Sequence, residues 1–365
     1  MARVVVAMSG GVDSSVAAAL LVAQGHDVLG VTMKLFCYGD EVPDRPCCSL
    51  DSINDARRVC EQLGLRHYVL NLEPDFGRDV VQDFVSEYAR GRTPIPCVRC
   101  NTFTKFRDLV RRAEGMDADF VATGHYARMV NGALHRGLDA RKDQSYFLWG
   151  IDRGVLARLM LPVGDLTKER TRAVARELGL QVVAEKVESQ DICFVPDGDH
   201  AKVIARRLGA DTPALAAGPV QLSDGRMVGT HDGYARFTVG QRRGLPGGFG
   251  VAMYVVAIVP ETRAVVIGPR EELLGRGVIA RELNWLGDTP APGDRLLAQI
   301  RHRAGGVPAE VLRIGDGEIE LALEEPVAAI TPGQSLVLYE GSRVAGGGVI
   351  ERAAGSRSTL PVLAA

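Results

Sequence analysis

A short apolar run followed by a glycine-rich loop restricts the possible folds of this chain more than any other feature. Val4–Met8 is rich in β-branched residues, which is typical of a buried parallel strand. The loop Ser9-Gly10-Gly11-Val12-Asp13-Ser14 comes next, and the helical pattern Ser14–Gln24 follows it. Ligands of open α/β sheets bind where the strands end, and glycines let backbone N–H groups approach an anion at a helix N-terminus. The sequence therefore predicts a phosphate-binding loop on a parallel-sheet domain.

The residue types in this loop narrow its chemistry. Ser9, Ser14 and Ser15 add hydroxyl groups, and Asp13 is an unusual neighbour for phosphate unless it binds Mg²⁺. No Gly-Lys-Ser/Thr follows, so the pattern is not a Walker A motif, and it is not a dinucleotide fingerprint either. On spacing alone, a tight turn capped by Ser or Asp stays open as the alternative.

Strand-like and helix-like patterns alternate through the first half of the chain. This alternation predicts a doubly wound parallel sheet. Gly64, directly after one helical pattern, is a typical helix stop. The predicted strands are 4–8, 28–33, 66–72 and 119–123, and the predicted helices are 14–24, 52–63, 76–88, 103–113 and 167–178.

The pattern changes around residues 200–220. Beyond Pro219, short alternating runs are separated by glycine and proline turns, and Gly315-Asp316-Gly317 is a hairpin signal. These features predict an all-β second half with a barrel near the C-terminus, followed by a frayed tail at 353–365. The predicted strands are 253–259, 263–267, 295–301, 310–314 and 318–323.

Composition sets limits on location and partners. The net charge of −2 excludes a globally basic nucleic-acid binder but not a local basic face. No run of eighteen apolar residues exists, so we expect no transmembrane helix and no membrane partner. The first residues lack the long apolar stretch of a signal peptide, which favours a cytoplasmic enzyme.

Seven cysteines lie in the first 193 residues and none follows. In a cytosolic chain they do not indicate a disulfide framework, and any sulfur chemistry belongs to the N-terminal part. Cys97-Val98-Arg99-Cys100 is a C-x-x-C motif, which is typical of a redox pair, half of a zinc site or part of an iron–sulfur site. We expect Asn101 to cap the helix that carries Lys105, which would lower the pKa of the nearby thiols.

The remaining cysteines are less informative by themselves. Cys193, between Ile192 and Phe194, has the surroundings of a buried apolar residue. Cys47 and Cys48 follow Pro46 in an expected loop, where solvated loop cysteines are the simpler interpretation and accessory thiols or metal ligands the alternative.

The loop resembles the Ser-Gly-Gly-x-Asp-Ser motif of the PP-loop ATP pyrophosphatases, which cleave ATP between the α and β phosphates. Over nearly its full length the chain also resembles the tRNA-specific 2-thiouridylases of the MnmA/TrmU family. The stretches that carry this resemblance are Ala7 to Ser14, Gly91-Arg92-Thr93-Pro94, Cys100-Asn101, Lys105-Phe106, Ala122 to Tyr126, Lys142 to Leu148, Ile192-Cys193-Phe194, Thr238 to Leu245, Glu325 to Ala329 and Thr331 to Ser335.

The resemblance implies a fold and a division into domains. It implies an α/β protein whose N-terminal doubly wound parallel sheet is of the PP-loop, adenine nucleotide alpha-hydrolase-like type. A small central domain and a C-terminal β-barrel would follow. We place the ATP-binding catalytic domain at 1–200, the central domain at 201–275 and the barrel at 276–352.

The resemblance also implies an activity, in which ATP with Mg²⁺ adenylates O2 of the wobble uridine of tRNA and sulfur then replaces that oxygen. By position match, Cys193 would carry the sulfur as a persulfide, and Cys100 would release it and end in a disulfide with Cys193. The implied ATP-binding residues are Ala7, Met8, Ser9, Gly10, Gly11, Val12, Asp13, Ser14, Met33 and Gly124.

Cys97 departs from the family pattern, in which Asp with an acid/base role commonly stands at this position. Cysteine does not substitute simply for that carboxylate. An alternative is that Cys97, Cys100 and Cys193 hold a [4Fe–4S] cluster by three thiolates, which would leave one iron open to bind sulfide.

The substrate implied is tRNA, namely the isoacceptors for Glu, Gln and Lys. A relay protein or a cysteine desulfurase would supply the sulfur. Ile95, Pro96 and Cys97 match the segment that contacts the flipped base. Local basic groups must meet the RNA, and candidates are Lys105, Arg107, Arg111 and Arg112 on one helix and Arg242-Arg243. The other implied tRNA contacts are His125, Lys142, Asp143, Gln144, Arg301, His302 and Gln334.

Two alternatives concern the function. Another PP-loop ligase, such as an argininosuccinate-synthase-like enzyme, would not need Cys100 and Cys193. A catalytically idle tRNA-binding protein on the same scaffold would not need Asp13 and both cysteines.

Overall fold

A computed structural model describes residues 1–36, 50–186, 192–195 and 197–354. Cys37, Cys47 and Cys48 and most of the expected tail lie outside these ranges. Within them, no helix has the length and apolar character that crossing a membrane requires. The N-terminal strands are β1 (Arg3–Ala7), β2 (Asp27–Lys34), β3 (Arg66–Asn71), β4 (Phe120–Ala122), β5 (Ala127–Val130), β6 (Ala133–Arg136) and β7 (Leu159–Met160).

The N-terminal domain is built on a five-stranded parallel sheet, as predicted. Its strand order is β3-β2-β1-β4-β7, so the chain reverses direction across the sheet between β1 and β4. A reversal of strand order of this kind opens a crevice at the carboxyl ends of the two neighbouring strands. The ends of β1 and β4 therefore mark the expected binding site.

Helices cover both faces of this sheet. Two of them, α3 and α4, contain π-helical stretches: α3 (73–89) comprises Glu73–Phe76, the π segment Gly77–Val81 and Gln82–Ala89, and α4 (96–114) comprises Pro96–Arg99, the π segment Cys100–Asp108 and Leu109–Glu114. Such π-helical stretches are frequent at functional sites. The other helices are α1 (Val12–Ala23), α2 (Leu50–Gln62), α5 (Lys168–Glu177), α6 (Gln181–Ala184) and α7 (His200–Leu208).

Local sequence accounts for the ends of these helices. The Thr167 side chain accepts a hydrogen bond from the Arg170 N–H at the start of α5, and Asp199 caps α7 in the same way. After α1, Gly25 adopts a φ of +80° and its N–H donates to the Val22 carbonyl. The helix α7 was not predicted, because its pattern is short and lies where the composition changes.

The central domain carries a four-stranded sheet that packs beside α3 and α7. Its order is β10-β11-β8-β9, with β11 parallel to β8 and the other pairs antiparallel. Apolar side chains from this sheet join one buried cluster with Phe76, Phe84 and Phe194. The strands are β8 (Ala217–Leu222), β9 (Met227–Asp232), β10 (Tyr254–Val259) and β11 (Ala264–Gly268).

The C-terminal part is a closed six-stranded antiparallel barrel, which confirms the predicted architecture. The order β12-β15-β14-β13-β16-β17 closes by pairing of β12 with β17, and the predicted hairpin turn joins β14 to β15. Asp316 and Gly317 in that turn have φ values of +52° and +72°. The strands are β12 (Leu274–Trp285), β13 (Arg295–Gln299), β14 (Val307–Gly315), β15 (Glu318–Ala328), β16 (Ser335–Glu340) and β17 (Arg343–Ala353).

A hairpin of the N-terminal domain extends the barrel sheet, which the sequence did not predict. Strand β6 pairs with β17 through His135 and Arg343, and the Arg136 N–H donates to the Ser342 carbonyl over 2.8 Å. Buried hydrogen bonds reinforce this junction: Trp149 Nε1–H donates to Ser335 Oγ and the Tyr146 hydroxyl to the Ser335 carbonyl, both over 2.9 Å. The barrel is therefore held against the sheet domain by paired backbone and buried polar contacts.

Candidate active site

The glycine loop forms a turn lined with hydroxyl groups at the end of β1. Gly10 has a φ of +69°, and a Cβ there would lie 2.3 Å from the Ser52 carbonyl oxygen, so the position requires glycine. The Ser9 N–H donates to Ser14 Oγ over 3.2 Å, and the Ser14 and Ser15 hydroxyls donate to the Gly11 carbonyl over 3.1 and 2.9 Å. The loop is thus fixed by its own side chains at the N-terminus of α1.

Gly124, which follows β4, lies directly against this loop. A Cβ on Gly124 would lie 2.5 Å from the Ser14 backbone nitrogen and 2.6 Å from the Asp13 carbonyl carbon. Only glycine lets the end of β4 approach the first turn of α1 so closely. The two strand ends at the sheet reversal therefore meet backbone to backbone.

Asp13 forms an ion pair that the sequence analysis missed. Lys168 Nζ lies 2.7 Å from Asp13 Oδ1 and 2.9 Å from Oδ2, and the Tyr126 hydroxyl also donates to Oδ1 over 2.8 Å. Lys168 is only 6% exposed, although it occupies the first turn of α5, where the helix dipole disfavours a cation. The sequence signal that could have identified Lys168 is this unusual position of a lysine in the first turn of a helix.

This pairing bears on the expected role of Asp13 as a Mg²⁺ ligand. Both carboxylate oxygens already accept hydrogen bonds from the Lys168 ammonium group, which also offsets their charge. Among the described residues, no group of three or more His, Cys, Asp or Glu side chains is placed to hold a metal ion. Asp13 therefore does not fit as a preformed Mg²⁺ site.

One cavity of about 340 Å³ is lined by the phosphate loop, by the predicted catalytic residues Cys100 and Cys193, and by part of the segment predicted to contact RNA. It extends from the end of β1 to the first turn of α4 and to the segment carrying Cys193. Of the predicted ATP and cysteine residues it contains Ala7, Met8, Ser9, Asp13, Ser14, Met33, Gly124, Cys97, Cys100 and Cys193. Pro96, His125, Gln144 and the predicted basic residue Lys105 also line it, together with residues that were not predicted as site residues, namely Leu35, Phe76, Val80, Thr123, Ile192 and Phe194. Gly10, Gly11 and Val12 form the loop backbone behind this wall.

The three cysteines of the cavity differ in exposure. Cys97 is exposed, Cys193 is half-buried, and Cys100 is buried with 6% of its surface accessible. The described residues place these three thiols in one cavity but not in a metal-binding group. The donor arrangement therefore does not fit a preformed cluster site.

The start of α4 differs from the prediction. The helix begins at Pro96, so Cys97 and Cys100 lie in its first turn, and Asn101 is inside the helix and not its cap. Asn101 is buried, and its side-chain Nδ2 donates to the Phe147 carbonyl over 3.0 Å. The prediction failed because Pro96 is itself a favourable first helical residue, which placed the C-x-x-C inside the helix.

Aromatic packing positions the Cys193 segment. The Phe194 ring makes edge contacts with Phe76 and Phe84, with ring centroids 5.6 and 5.0 Å apart. Such edge-to-face pairs stabilise by about 1 kcal/mol each beyond their buried area. Phe194 therefore fastens the chain next to Cys193 onto α3, facing the cavity.

His125 is neutral in this site. Burial, and then the positive charge of Lys105, lower the pKa of His125 to about 3. Its Nδ1 shares a hydrogen bond of 2.8 Å with Thr123 Oγ1. His125 therefore offers the cavity an uncharged ring, not a cation for a phosphate group.

The other predicted RNA contacts lie outside this cavity, along the junctions with the barrel. His302 shares a hydrogen bond with the Asp143 carbonyl at 3.3 Å, so these two predicted residues are neighbours. Arg301 and Gln334 line a smaller cavity with Thr238 and Gln241, and Arg301 donates to the carbonyls of Val239 and Ala329. Ile95 lines a different cavity behind α4, and Lys142 is not among the residues that line the main cavity.

The basic residues of α4 do not form one face. Lys105 lines the main cavity, whereas Arg107 pairs with Asp79 and Asp108, and Arg111 also pairs with Asp108. Asp79 and Asp108 therefore offset part of the charge that the sequence attributed to this helix.

Three family models match this chain. The family model described as "tRNA methyl transferase HUP domain" matches residues 2–197, and its "PRC-barrel domain" and "Aminomethyltransferase beta-barrel domain" companions match 210–269 and 275–350. Proteins named tRNA-specific 2-thiouridylase MnmA are similar: that of Rhodospirillum centenum is 49% identical, covering 97% of this chain and 93% of the relative. That of Geotalea uraniireducens is 44% identical, covering 98% and 97%.

Two of the solved structures that match give a distant likeness. A 4-thiouridine synthetase in complex with RNA and ATP has a TM-score of 0.36 at 18% identity, covering 57% of this chain and 51% of that one. An NMN synthetase from Francisella tularensis has a TM-score of 0.35 at 19% identity, covering 57% and 75%. At these scores the likeness carries no argument about the site.

Proposed function

The chain belongs to the family of tRNA-specific 2-thiouridylases of the MnmA type, and from this premise we propose that it is a tRNA-uridine 2-sulfurtransferase. It adenylates O2 of the wobble uridine, U34, with ATP and replaces that oxygen by sulfur, which gives 2-thiouridine, AMP and pyrophosphate. One observation carries the proposal: the phosphate loop, Cys100 and Cys193 line the same cavity.

The phosphate loop performs the activating half of the reaction. A uracil carbonyl oxygen is a poor leaving group, and it departs readily only as part of AMP. The loop N–H groups and the Ser9 and Ser14 hydroxyls bind the phosphates of ATP, while Met33 and Gly124 line the adenosine. The uridine oxygen attacks the α-phosphate, and pyrophosphate leaves.

Mg²⁺ would supply charge neutralisation on the phosphates of ATP. Because Asp13 is paired with Lys168, no step of the proposal passes through a metal ion on this carboxylate. The Lys168 ammonium group instead provides a buried positive charge next to the loop.

The cysteines perform the sulfur-transfer half. The terminal sulfur of a Cys193 persulfide attacks C2 of the adenylated uridine, and AMP leaves with the original oxygen. The Cys100 thiolate then attacks Sγ of Cys193, which leaves sulfur on C2 and joins Cys100 to Cys193 in a disulfide. An external thiol reduces this disulfide before the next turnover.

The tRNA would approach across the mouth of the cavity and the junctions with the barrel. U34 must leave the base stack before its C2 atom can react in the cavity, and this costs on the order of a few kcal/mol. Pro96, Cys97 and Gln144 at the cavity wall, and Ile95 beside them, would contact the flipped base. His125, Lys142, Asp143, Arg301, His302 and Gln334 would contact the anticodon arm, with the isoacceptors for Glu, Gln and Lys as substrates and a relay protein or cysteine desulfurase as sulfur donor.

A cluster-based variant of the sulfur half has its own test. In that variant Cys97, Cys100 and Cys193 ligate a [4Fe–4S] cluster, although the described thiols are not arranged as a metal group. Anaerobic purification followed by iron and sulfide assay separates the two routes. Colourless, iron-free protein with full activity rejects the cluster, whereas activity that depends on bound iron and sulfide rejects the persulfide route.

The central experiment for the proposal follows label from [α-³²P]ATP. With tRNA from a strain that lacks 2-thiouridine and no sulfur source, the wild-type protein should transfer ³²P to the tRNA, and so should Cys193→Ala. On adding a cysteine-supplemented extract of the deletion strain, only the wild type should release the label as AMP and form 2-thiouridine. Absence of label transfer with the wild type would reject the function.

A matched control is Cys60→Ala. Cys60 is buried beneath β2, and burial raises the pKa of its thiol to about 11, so it is not a nucleophile at neutral pH. This variant should keep both half-reactions. A second control, tRNA already thiolated at this position, should accept no label.

A further inference from the structure

The first turn of α4 is a wall between two cavities. Cys97 and Cys100 face the main cavity, whereas Val98 and Arg99, on the other side of the turn, line a second cavity of about 300 Å³. Residues of the barrel form the far side of this second cavity, including Glu282, Leu283 and Asn284 of β12. Contacts from the barrel can therefore affect the position of the turn that carries the cysteines.

Arg99 connects the turn to both of its neighbours. One guanidinium nitrogen, Nη2, lies 3.1 Å from Asp83 Oδ1 on α3 and 2.6 Å from Glu282 Oε2 on β12. The Arg99 and Asp83 side chains are about three-quarters buried, with 23% and 24% of their surfaces accessible. The Glu282 side chain keeps 53% of its surface accessible, so the pair with Asp83 is the better shielded of the two. A charged hydrogen bond in partly shielded surroundings is stronger than an exposed surface pair.

The backbone at Glu282, which makes this contact, is strained. Glu282 has a φ of +52°, which is unfavourable for a residue with a Cβ, and it lies where the pairing of β12 with β17 shifts register between Arg281 and Asn284. Two residues on, Asn284 Nδ2 donates to the carbonyls of Trp149 and Ile151 over 2.6 and 2.8 Å. Strain of this kind persists where surrounding contacts impose it, and it is concentrated at functional positions.

We propose that Glu282 and Asp83 are positioning residues for sulfur transfer: they hold Arg99 between the barrel and α3 and thereby fix the turn that carries Cys97 and Cys100. This inference rests on the proposed function, because it assigns the barrel a part in one half of that reaction. The residues of the ATP loop do not line the second cavity and make none of these contacts.

The consequence is a separation between the two half-reactions. Loss of either carboxylate leaves Arg99 with one anchor, so the cysteine turn gains freedom and Cys100 is less often aligned with Cys193. Small displacements of reacting groups lower rates steeply. Adenylation requires the loop and the uridine, whereas sulfur transfer also requires the aligned turn.

The test uses full-length protein carrying Glu282→Gln or Asp83→Asn, which keep the side-chain shape and remove the charge. We expect label transfer from [α-³²P]ATP to tRNA to stay within about twofold of wild type, and 2-thiouridine formation in the supplemented extract to slow about five- to tenfold. Labelled tRNA should therefore accumulate. A second readout is the alkylation rate of Cys100 by iodoacetamide, followed by peptide mass spectrometry, which should rise as the buried turn loosens.

Arg281→Gln is the control, since Arg281 lies on the same strand but pairs with Glu318 of the barrel over 3.0 Å and does not contact α4. It should leave both half-reactions and Cys100 alkylation unchanged. Wild-type rates of thiolation and alkylation in both test variants, or equal losses in the two half-reactions, would overturn the inference. Failure of the wild type itself to form 2-thiouridine would instead reject the proposed function.

Discussion

At the scale of single residues, the contact between Lys168 and Asp13 has the most direct consequence. Lys168→Met removes the ammonium group from a half-buried carboxylate, and we expect unfolding free energy to fall by about 2–3 kcal/mol because a charge is left without its partner. The apparent KM for ATP should rise as well, since a positive charge beside the phosphates is lost. Urea unfolding and ATP titration of label transfer measure the two effects.

The control for this prediction is a double-mutant cycle. In Lys168→Met/Asp13→Asn both charges are absent, so the loss of stability should be smaller than the sum of the two single losses. Strictly additive losses would show that the pair does not interact energetically in the folded protein.

The lowered pKa of His125 predicts a pH dependence of stability. The folded state disfavours the charged ring, so it binds fewer protons than the unfolded state at pH values below about 6.5, the ordinary histidine pKa. The stability contributed by neutral His125 is therefore present above that pH and is lost as the pH falls toward about 3. Replacing His125 by Gln should reduce the fall in unfolding free energy between pH 7.5 and pH 5 by about 1–2 kcal/mol.

Urea unfolding at the two pH values measures this difference. Other histidines titrate in both proteins, so the comparison of His125→Gln with the wild type isolates one ring. An identical pH slope in the two proteins would contradict the neutral assignment.

At the scale of elements, the close approach of β4 to α1 depends on Gly124. Gly124→Ala would place a methyl group 2.5 Å from the Ser14 nitrogen, so the strand end and the phosphate loop must separate. We expect loss of ATP-dependent label transfer by more than about tenfold, together with a stability loss of about 1–3 kcal/mol. Gly115→Ala is the control, because its added methyl group would meet only ordinary contacts at 3.5 Å.

The sequence predicted the elements whose signals are local. The strand before Ser9, the turn at Asp316 and the alternation of strands with helices follow from periodicity and glycine positions, and the structure confirms them. The position of α4 was predicted with its N-terminus seven residues too late, at 103 instead of Pro96, because Pro96 and Asn101 are both acceptable near a helix start. The local sequence preferences of the residues do not distinguish these two possible helix starts.

The hairpin β5–β6 had a local signal that was overlooked, since Asn131-Gly132 between its strands is a typical two-residue hairpin turn with φ values of +50° and +75°. Its pairing with β17, some two hundred residues later, depends on a contact distant in sequence that no local signal indicates. The same holds for Lys168 and Asp13, which are 155 positions apart. The family resemblance identified the cavity residues individually. The burial and pairing of side chains such as Lys168 became visible only in the folded structure.

At the scale of the whole molecule, the junction between the sheet domain and the barrel predicts cooperative unfolding. The two tryptophans report on opposite sides of it: Trp149 belongs to the sheet domain, and Trp285 ends strand β12 of the barrel. In Trp149→Phe and Trp285→Phe, the fluorescence midpoint of the remaining tryptophan should coincide with the far-UV circular dichroism midpoint of the same variant. Separate midpoints for the two methods would show that the barrel unfolds independently.

The central claim concerns one modified base and one pair of cysteines in a cavity shared with the phosphate loop. Its most direct test is mass spectrometry of nucleosides from tRNA of a strain that lacks this gene. The account predicts that 2-thiouridine disappears, returns with the wild-type gene and with Cys60→Ala, and does not return with Cys193→Ala or Cys100→Ala. Unchanged 2-thiouridine in the deletion strain, or its restoration by Cys193→Ala, would contradict it.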